Sequence, residues 1–200
     1  MTPRRMNRLR SALVLSLLLL AAPMTAAFAG GDANILLGIK PLDEDEWAPV
    51  EDHGAIGAEV TFGREAWPVW LAIDYFATAG VQQNVPVTVF GFTSTQDIEA
   101  STVELDLGVR KIWGKHRTRP FLGGGLGLIG ATLDLGVDDD SDATAGLWAG
   151  GGVFWRLGSR FNIGGTVRYS SAEVEIFDRD VEAGGFTYGL LLGWGWPAGS

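Results

Sequence analysis

The chain contains no cysteine, which excludes disulfides, thiolate metal centres and a lipid-bearing cysteine at its export site. Cations are scarce, with 15 Lys and Arg against 24 Asp and Glu. Nucleic acid is therefore excluded as a partner, because binding it requires cationic groups that displace counterions. Only His53 and His116 are available as general bases of the usual kind. Beyond the first 30 or so residues there is no apolar run of the roughly 20 residues that a membrane helix needs. Helical periodicity is missing as well, and the 29 glycines lie within apolar segments, where they weaken helices. These absences leave an all-β chain.

The N-terminus departs from that pattern. Arg4, Arg5, Arg8 and Arg10 precede an apolar stretch from Ala12 to Ala22, and Ala27-Phe28-Ala29 offers a small-x-small cleavage site. This three-region order predicts a secretory signal peptide over 1–29, too short in its apolar part to be a transmembrane anchor. Losing its four arginines takes the formal net charge from −9 to −13. Residues 30–200 have the length of one acidic domain, with no second domain predicted.

The segment from Gly184 to Trp196 places Phe186, Tyr188, Leu190, Leu192, Trp194 and Trp196 on one face. Gly185, Thr187, Gly189, Leu191, Gly193 and Gly195 occupy the other. A soluble amphipathic strand would oppose charged groups to apolar ones. Large apolar groups opposed to small ones instead suit a wall between lipid and a crowded interior, so this segment is predicted to be a transmembrane β-strand. Strands are predicted at 33–41, 54–63, 68–79, 101–113, 120–135, 143–157, 161–176 and 184–196. Their connections alternate between short (64–67, 114–119, 158–160) and mostly longer (42–53, 80–100, 136–142, 177–183). That layout predicts an eight-stranded antiparallel up-and-down transmembrane β-barrel with short periplasmic turns and both mature termini in the periplasm.

Register is strongly constrained, because a slip of one residue exchanges the two faces of a strand. Val103, Leu105, Leu107 and Val109 share one face, while Thr102, Glu104, Asp106, Gly108 and Arg110 share the other. The inward register of the clearest strands collects Lys40, Arg110, Arg156 and Arg168 as cations and Glu59, Asp74, Glu104 and Asp106 as anions. An eight-stranded barrel is just wide enough for side chains to fill. A buried charge without its partner costs about 3 to 5 kcal/mol, so the balance predicts a cross-strand ion-pair network that plugs the lumen, with Arg110 matched to Glu104 or Asp106. The competing reading is a narrow wet passage solvated by the same side chains.

Aromatic rings follow the same topology. Trp67, Trp113, Trp155, Phe161, Trp194 and Trp196 fall at strand ends near the short-turn rim, and Tyr75, Tyr169 and Tyr188 share the outward register nearer the other rim. They are read as two interfacial girdles.

Other motifs carry less. Gly125-Leu126-Gly127-Leu128-Ile129-Gly130 has the spacing of a dinucleotide fingerprint, but it lies inside a strand with no helix N-terminus to cradle a pyrophosphate. Its glycines read as close-packing lumen positions. Asp138-Asp139-Asp140-Ser141-Asp142 begins like a calcium loop, yet Ala143 and Ala149 stand where the glycine and glutamate belong. A solvated acidic loop is expected, which together with Asp43, Glu44, Asp45, Glu46, Glu51 and Asp52 makes an acidic outer rim able to bridge lipid weakly through divalent cations. His53 is assigned to an outer loop and His116 to a basic periplasmic turn. Both read as surface histidines without a serine and acid beside them, so no catalytic, cofactor or metal site is assigned. The segment from Val81 to Ser101 is apolar for an exposed connection, which fits an extended barrel wall or an adhesive lip.

The signal peptide, the eight alternating strands, the run Arg119-Pro120-Phe121-Leu122-Gly123-Gly124-Gly125-Leu126-Gly127 and the closing Gly-and-Trp strand resemble the small outer-membrane β-barrel families. These are the OmpA-like transmembrane barrel and its OmpX and OmpW relatives. The resemblance implies location in the bacterial outer membrane, contact with its lipid and insertion by its assembly machinery. It also implies an assembly signal in the last strand, matched by Thr187, Gly189, Leu192 and Trp194, with Pro197 to Ser200 following Trp196 where the family usually ends. For function it implies a structural or surface-interaction barrel. The OmpW likeness points instead to passage of small hydrophobic molecules, and a lipid-modifying barrel enzyme is a third class. A peptidoglycan-binding domain of the OmpA kind, and with it anchoring to the wall, is not expected.

Overall fold

Strict alternation lets each strand present large apolar groups outward while small or polar groups point inward, and a sheet with no edge can satisfy all its backbone groups in lipid. The chain takes that solution in a computed structural model, which describes residues 30–64, 66–89, 92–114, 117–135, 139–177 and 179–196. In chain order the elements are β1 (Gly30–Pro41), α1 (Glu44–Trp47), β2 (Asp52–Gly63), β3 (Trp70–Val89) and β4 (Phe92–Ile112). They continue with β5 (Thr118–Asp134), β6 (Asp139–Leu157), β7 (Phe161–Ser171), β8 (Glu173–Ile176), β9 (Arg179–Glu182) and β10 (Gly185–Trp196). β1 to β7 and β10 form a closed antiparallel barrel in which sequential strands are neighbours. β10 closes on β1, pairing Gly31 with Trp196 through to Ile39 with Tyr188.

The outward register is apolar around the barrel. Leu37, Ile56, Leu107, Leu126, Leu147 and Leu190 are each at least half exposed, a cost in water but not in hydrocarbon. Inward positions carry Phe76, Phe121, Trp148, Phe154 and Leu191, all buried, together with the charged residues described below. Gly123, Gly125 and Gly127 of β5 point inward, where they free space for larger neighbours. A Cβ on Gly127 would run into the Asp106 carboxylate, so glycine there leaves room for that side chain against β5.

Three predicted boundaries are corrected. The connection 80–100 is largely not a loop, because β3 and β4 continue past the barrel as a two-stranded ribbon paired up to Val89 and Phe92, with a bulge between Gln82 and Val85. Val81, Val85 and Thr95 supply β-branched content that suits such pairing. The predicted strand 161–176 leaves the wall at Ala172. β8 folds onto β9 as a separate hairpin, pairing Glu173 with Glu182 through Ile176 with Arg179. The Glu182 carboxylate makes this break by accepting the N–H groups of Ala172 at 2.7 Å and Gly184 at 3.0 Å. Lastly, Asp139 to Asp142 belong to β6 and pair with β5 rather than forming a loop. The predicted signal peptide, Asp138, His116 and Pro197 to Ser200 lie outside the described residues.

The hairpin and α1 close the long-loop end of the barrel. Leu42, Trp47, Val50, Ile98, Ile129, Val174 and Ile176 pack there in one apolar cluster with Ala100, Ala131, Ala172 and Ala183. Each large side chain so buried contributes about 1.5 to 3 kcal/mol. Trp47 Nε1 donates to Glu182 O at 2.9 Å, and the N–H of Glu182 donates to the Glu46 carboxylate at 2.6 Å, tying α1 to the hairpin. From the barrel side, Asp140 accepts the N–H of Phe177 at 2.6 Å and Asp142 that of Glu175 at 3.0 Å.

Candidate functional site

The lumen beneath this cap is filled in three tiers. In the uppermost, Glu104 on β4 sits between two cations, Lys40 on β1 at 2.6 Å and Arg168 on β7 at 2.8 Å. Arg168 also holds Asp106 at 2.5 Å, and Ser170 Oγ donates to Glu104 at 3.0 Å. The guanidinium of Arg168 lies 4.4 Å from the centre of Phe76 and 4.9 Å from that of Trp148. Its Nε and Nη1, which have no hydrogen-bond partner among the described residues, are thus covered by ring faces.

In the middle tier Arg110 on β4 donates to Asp74 at 2.7 Å and to Thr61 Oγ1 at 2.8 Å. It also faces Glu59 at 3.3 Å, close enough for charge pairing but without hydrogen-bond geometry. Its guanidinium lies 5.3 Å from the centre of Phe121. The lowest tier joins Arg156 to Asp32. Asn162 ties this pair to the wall, accepting from Arg156 Nε at 2.6 Å and donating to Asp32 at 2.9 Å and to Asn34 at 3.0 Å.

All eight charged residues collected from the inward register thus lie in the lumen, and each is ion-paired. The pairing itself differs from the expected one. Arg110 serves Glu59 and Asp74, while Glu104 and Asp106 belong to Arg168, because β7 faces the upper part of β4 across the lumen. Arg156 uses an anion absent from the predicted set. Asp32 lies just before the predicted start of the first strand at residue 33, although the same alternation carries it inward with Asn34.

His53 is a second correction. It is not a surface loop residue: it lies in β2, 2% exposed, with its Nε2 3.0 Å from Val50 O and its Nδ1 2.9 Å from Thr78 Oγ1. Gly80 clears the space for the ring, since a Cβ there would meet the imidazole, and Trp47 packs edge-on against it. The flanking Asp52 and Gly54 disguised it as a turn; pairing of Lys40 with His53 across β1 and β2 was the signal available. Thr78 and Thr102, 2.8 Å apart, extend the contact across β3 and β4, and Lys40 donates to Thr102 at 3.4 Å.

On the outer wall Trp67, Trp113, Trp155, Trp194, Tyr169 and Tyr188 are exposed, while Tyr75 and Trp196 are half-buried. Phe186 stands between Tyr169 and Tyr188, 4.9 Å and 6.1 Å from them. Thr187 and Gly189 point inward from β10, and Leu192 and Trp194 outward. Among the described residues no group of three His, Cys, Asp or Glu is placed to hold a metal ion.

No protein-family profile matches this chain, and no curated protein matches it in sequence. Solved structures do. Ail, the attachment invasion locus protein of Yersinia pestis, in complex with the heparin analogue sucrose octasulfate, is 14% identical with a TM-score of 0.54, covering 84% of this chain and 99% of that one. Ail without that analogue gives 13% and 0.52 over the same shares. Neisserial surface protein A is 15% identical, over 84% of this chain and 94% of that one, with a TM-score of 0.48. At such identities the likeness is one of fold.

Proposed function

We propose that this chain, which has the fold of the small outer-membrane β-barrels, is a closed barrel that works at its outer surface, in contact with an extended segment of another polypeptide. The observation that carries the reading is the lumen. Three tiers of buried ion pairs stand beneath an apolar cap, leaving the projecting ribbon as the prominent feature outside the wall. On this reading residues 1–29 are the export signal, the long-loop rim faces outward, and both ends of the mature chain face the periplasm. Lipid surrounds the apolar belt, the tyrosines and tryptophans sit at the two interfaces, and Thr187, Gly189, Leu192 and Trp194 form the assembly signal.

The ribbon suits strand addition. β3 pairs with β2 only as far as Ala79, and β4 pairs with β5 only from Glu99, so beyond these points the two strands pair with each other alone. The β3 edge is blunted by the bulge and by Pro86. The β4 edge, Phe92 to Ile98, has neither proline nor lysine. No charge occurs from Val81 to Gln96, while Asp97, Glu99, Glu173 and Glu175 stand exposed around the base. The complementary partner is an extended segment with uncharged β-branched residues flanked by basic ones.

Vesicles carrying the protein should bind an alternating Thr/Val peptide with terminal lysines, and should lose most of that binding when the peptide is N-methylated or Thr95 becomes Pro. Equal binding of the methylated peptide would reduce the contact to rim electrostatics and overturn strand addition.

One observation favours a second reading, passage of small apolar molecules through the side of the wall. An apolar groove of about 690 Å³ lies across β6, β7, β10 and β1, where Gly151 and Gly165 leave the outer surface low. Uptake of an apolar dye into vesicles, abolished by Gly165→Leu, would favour it. A lipid-modifying activity has less support, since both ring nitrogens of His53 are already engaged.

A further inference from the structure

The mouth of the barrel is crossed by one unbroken line of hydrogen bonds. Lys40 Nζ reaches Ala183 O at 2.7 Å, Glu104 at 2.6 Å and Thr102 Oγ1 at 3.4 Å. Thr102 meets Thr78 at 2.8 Å, Thr78 meets His53 Nδ1 at 2.9 Å, and His53 Nε2 meets Val50 O at 3.0 Å. The line begins on the segment that leaves the hairpin and ends on the segment that follows α1. Both halves of the cap touch it.

Its direction is fixed by its ends. An ammonium can only donate and a carbonyl can only accept. Lys40 therefore donates to Thr102, Thr102 to Thr78, and Thr78 to His53 Nδ1, leaving Nε2–H to donate to Val50 O. That pattern requires a neutral imidazole protonated on Nε2. A proton on Nδ1 makes that nitrogen a donor, so the Thr78 hydroxyl accepts from the ring and turns its own hydrogen elsewhere. The charge then sits on a ring only 2% exposed, closed in by Trp47 and Gly80.

We propose that His53 is the pH-sensitive latch of the outer cap: once charged, the ring is hydrated only when Trp47 lifts from it, and Trp47, bonded to Glu182, takes the β8–β9 hairpin away from the mouth with α1. The surrounding charges favour release. Lys40 faces His53 as its cross-strand partner on β1. On the ring's own side stand Asp52, exposed, and Glu51, half-buried. β3 offers only Thr78 and Gly80, and α1 the Trp47 ring. Glu104 on β4 is already shared by Lys40 and Arg168, and on the hairpin Glu182 is committed to the N–H groups of Ala172 and Gly184. Among the described residues no carboxylate inside the mouth is free to stabilise an imidazolium.

His53 lies at the outer end of β2, beyond Ile56, the last large lipid-facing residue of that strand. The closed mouth binds one proton fewer than the open one. Closure is therefore full above about pH 6.5, the ordinary histidine value, and weakens by up to tenfold per pH unit as pH falls below it.

The absence of cysteine makes the test direct. Spin labels on Asp180→Cys and Asp97→Cys should give one narrow distance at pH 7.5 and a second, longer one that grows between pH 6.5 and 4.5. In the His53→Gln background, which keeps a donor for Val50 and an acceptor for Thr78, the narrow distance should persist. Nitrogen-15 spectra of the wild type read the same claim without a variant at the latch, since the chain has two histidines and His116→Gln assigns them. His53 should be the Nε2–H tautomer at pH 7.5. An unchanged wild-type distance, a His53→Gln protein that opens like the wild type, or a His53 found charged or Nδ1-protonated at pH 7.5 would overturn the proposal.

Discussion

Arg110 holds Asp74 and Glu59 together on the wall of the lumen, and nothing else among the described residues pairs with either carboxylate. Arg110→Ala should destabilise the barrel by about 3 to 5 kcal/mol, read from the urea midpoint in detergent, because it leaves two buried anions without a cation. A midpoint equal to that of the wild type would contradict the pairing. Residues of this kind were legible in the sequence through parity alone: in a wall one residue thick, alternation decides which charges are inside. Which charge meets which was not legible, because partners such as Lys40 and Glu104 are 64 residues apart and are set by curvature across the lumen. His53 was obscured for a different reason, since its neighbours Asp52 and Gly54 have the composition of a turn while its burial depends on Gly80, Thr78 and Trp47.

The eight barrel strands were readable as elements because each repeats a large-out, small-in pattern over its membrane-crossing part. The pieces outside the belt were not, because once lipid no longer demands alternation the ribbon and the β8–β9 hairpin follow from local pairing and from carboxylates that cap backbone groups. Asp142 illustrates this. It lies on the outer extension of β6, beyond Leu147, where the N–H groups of Glu175 and then Ala143 hold its carboxyl below the usual range. Its docked value is below the free one, so its support for the hairpin is complete above about pH 4 and is lost as pH falls through the lowered value. Asp142→Asn should raise backbone hydrogen exchange over 173–177 several-fold at neutral pH while leaving β2 unchanged. Loosening by this carboxylate lies below the window assigned to His53, so the two are separable by titration. Exchange unaffected by the substitution would show that the apolar packing of Val174 and Ile176 holds the hairpin without it.

At the scale of the whole molecule, an apolar outer surface, a charged interior and a cap make three environments within one closed sheet. The belt has room for a side chain at Gly165, whose added Cβ would meet only Gly189 O at 3.6 Å, whereas inside at Gly125 it would run into the Leu107 backbone oxygen. On the proposed reading the inside of the wall serves its own stability and contact at the outer surface is its work. Planar-bilayer conductance of the purified protein at neutral pH tests that claim most directly. The closed lumen predicts a bilayer that stays at its baseline or shows only brief, small events. Large, steady open steps from the wild-type protein would contradict it.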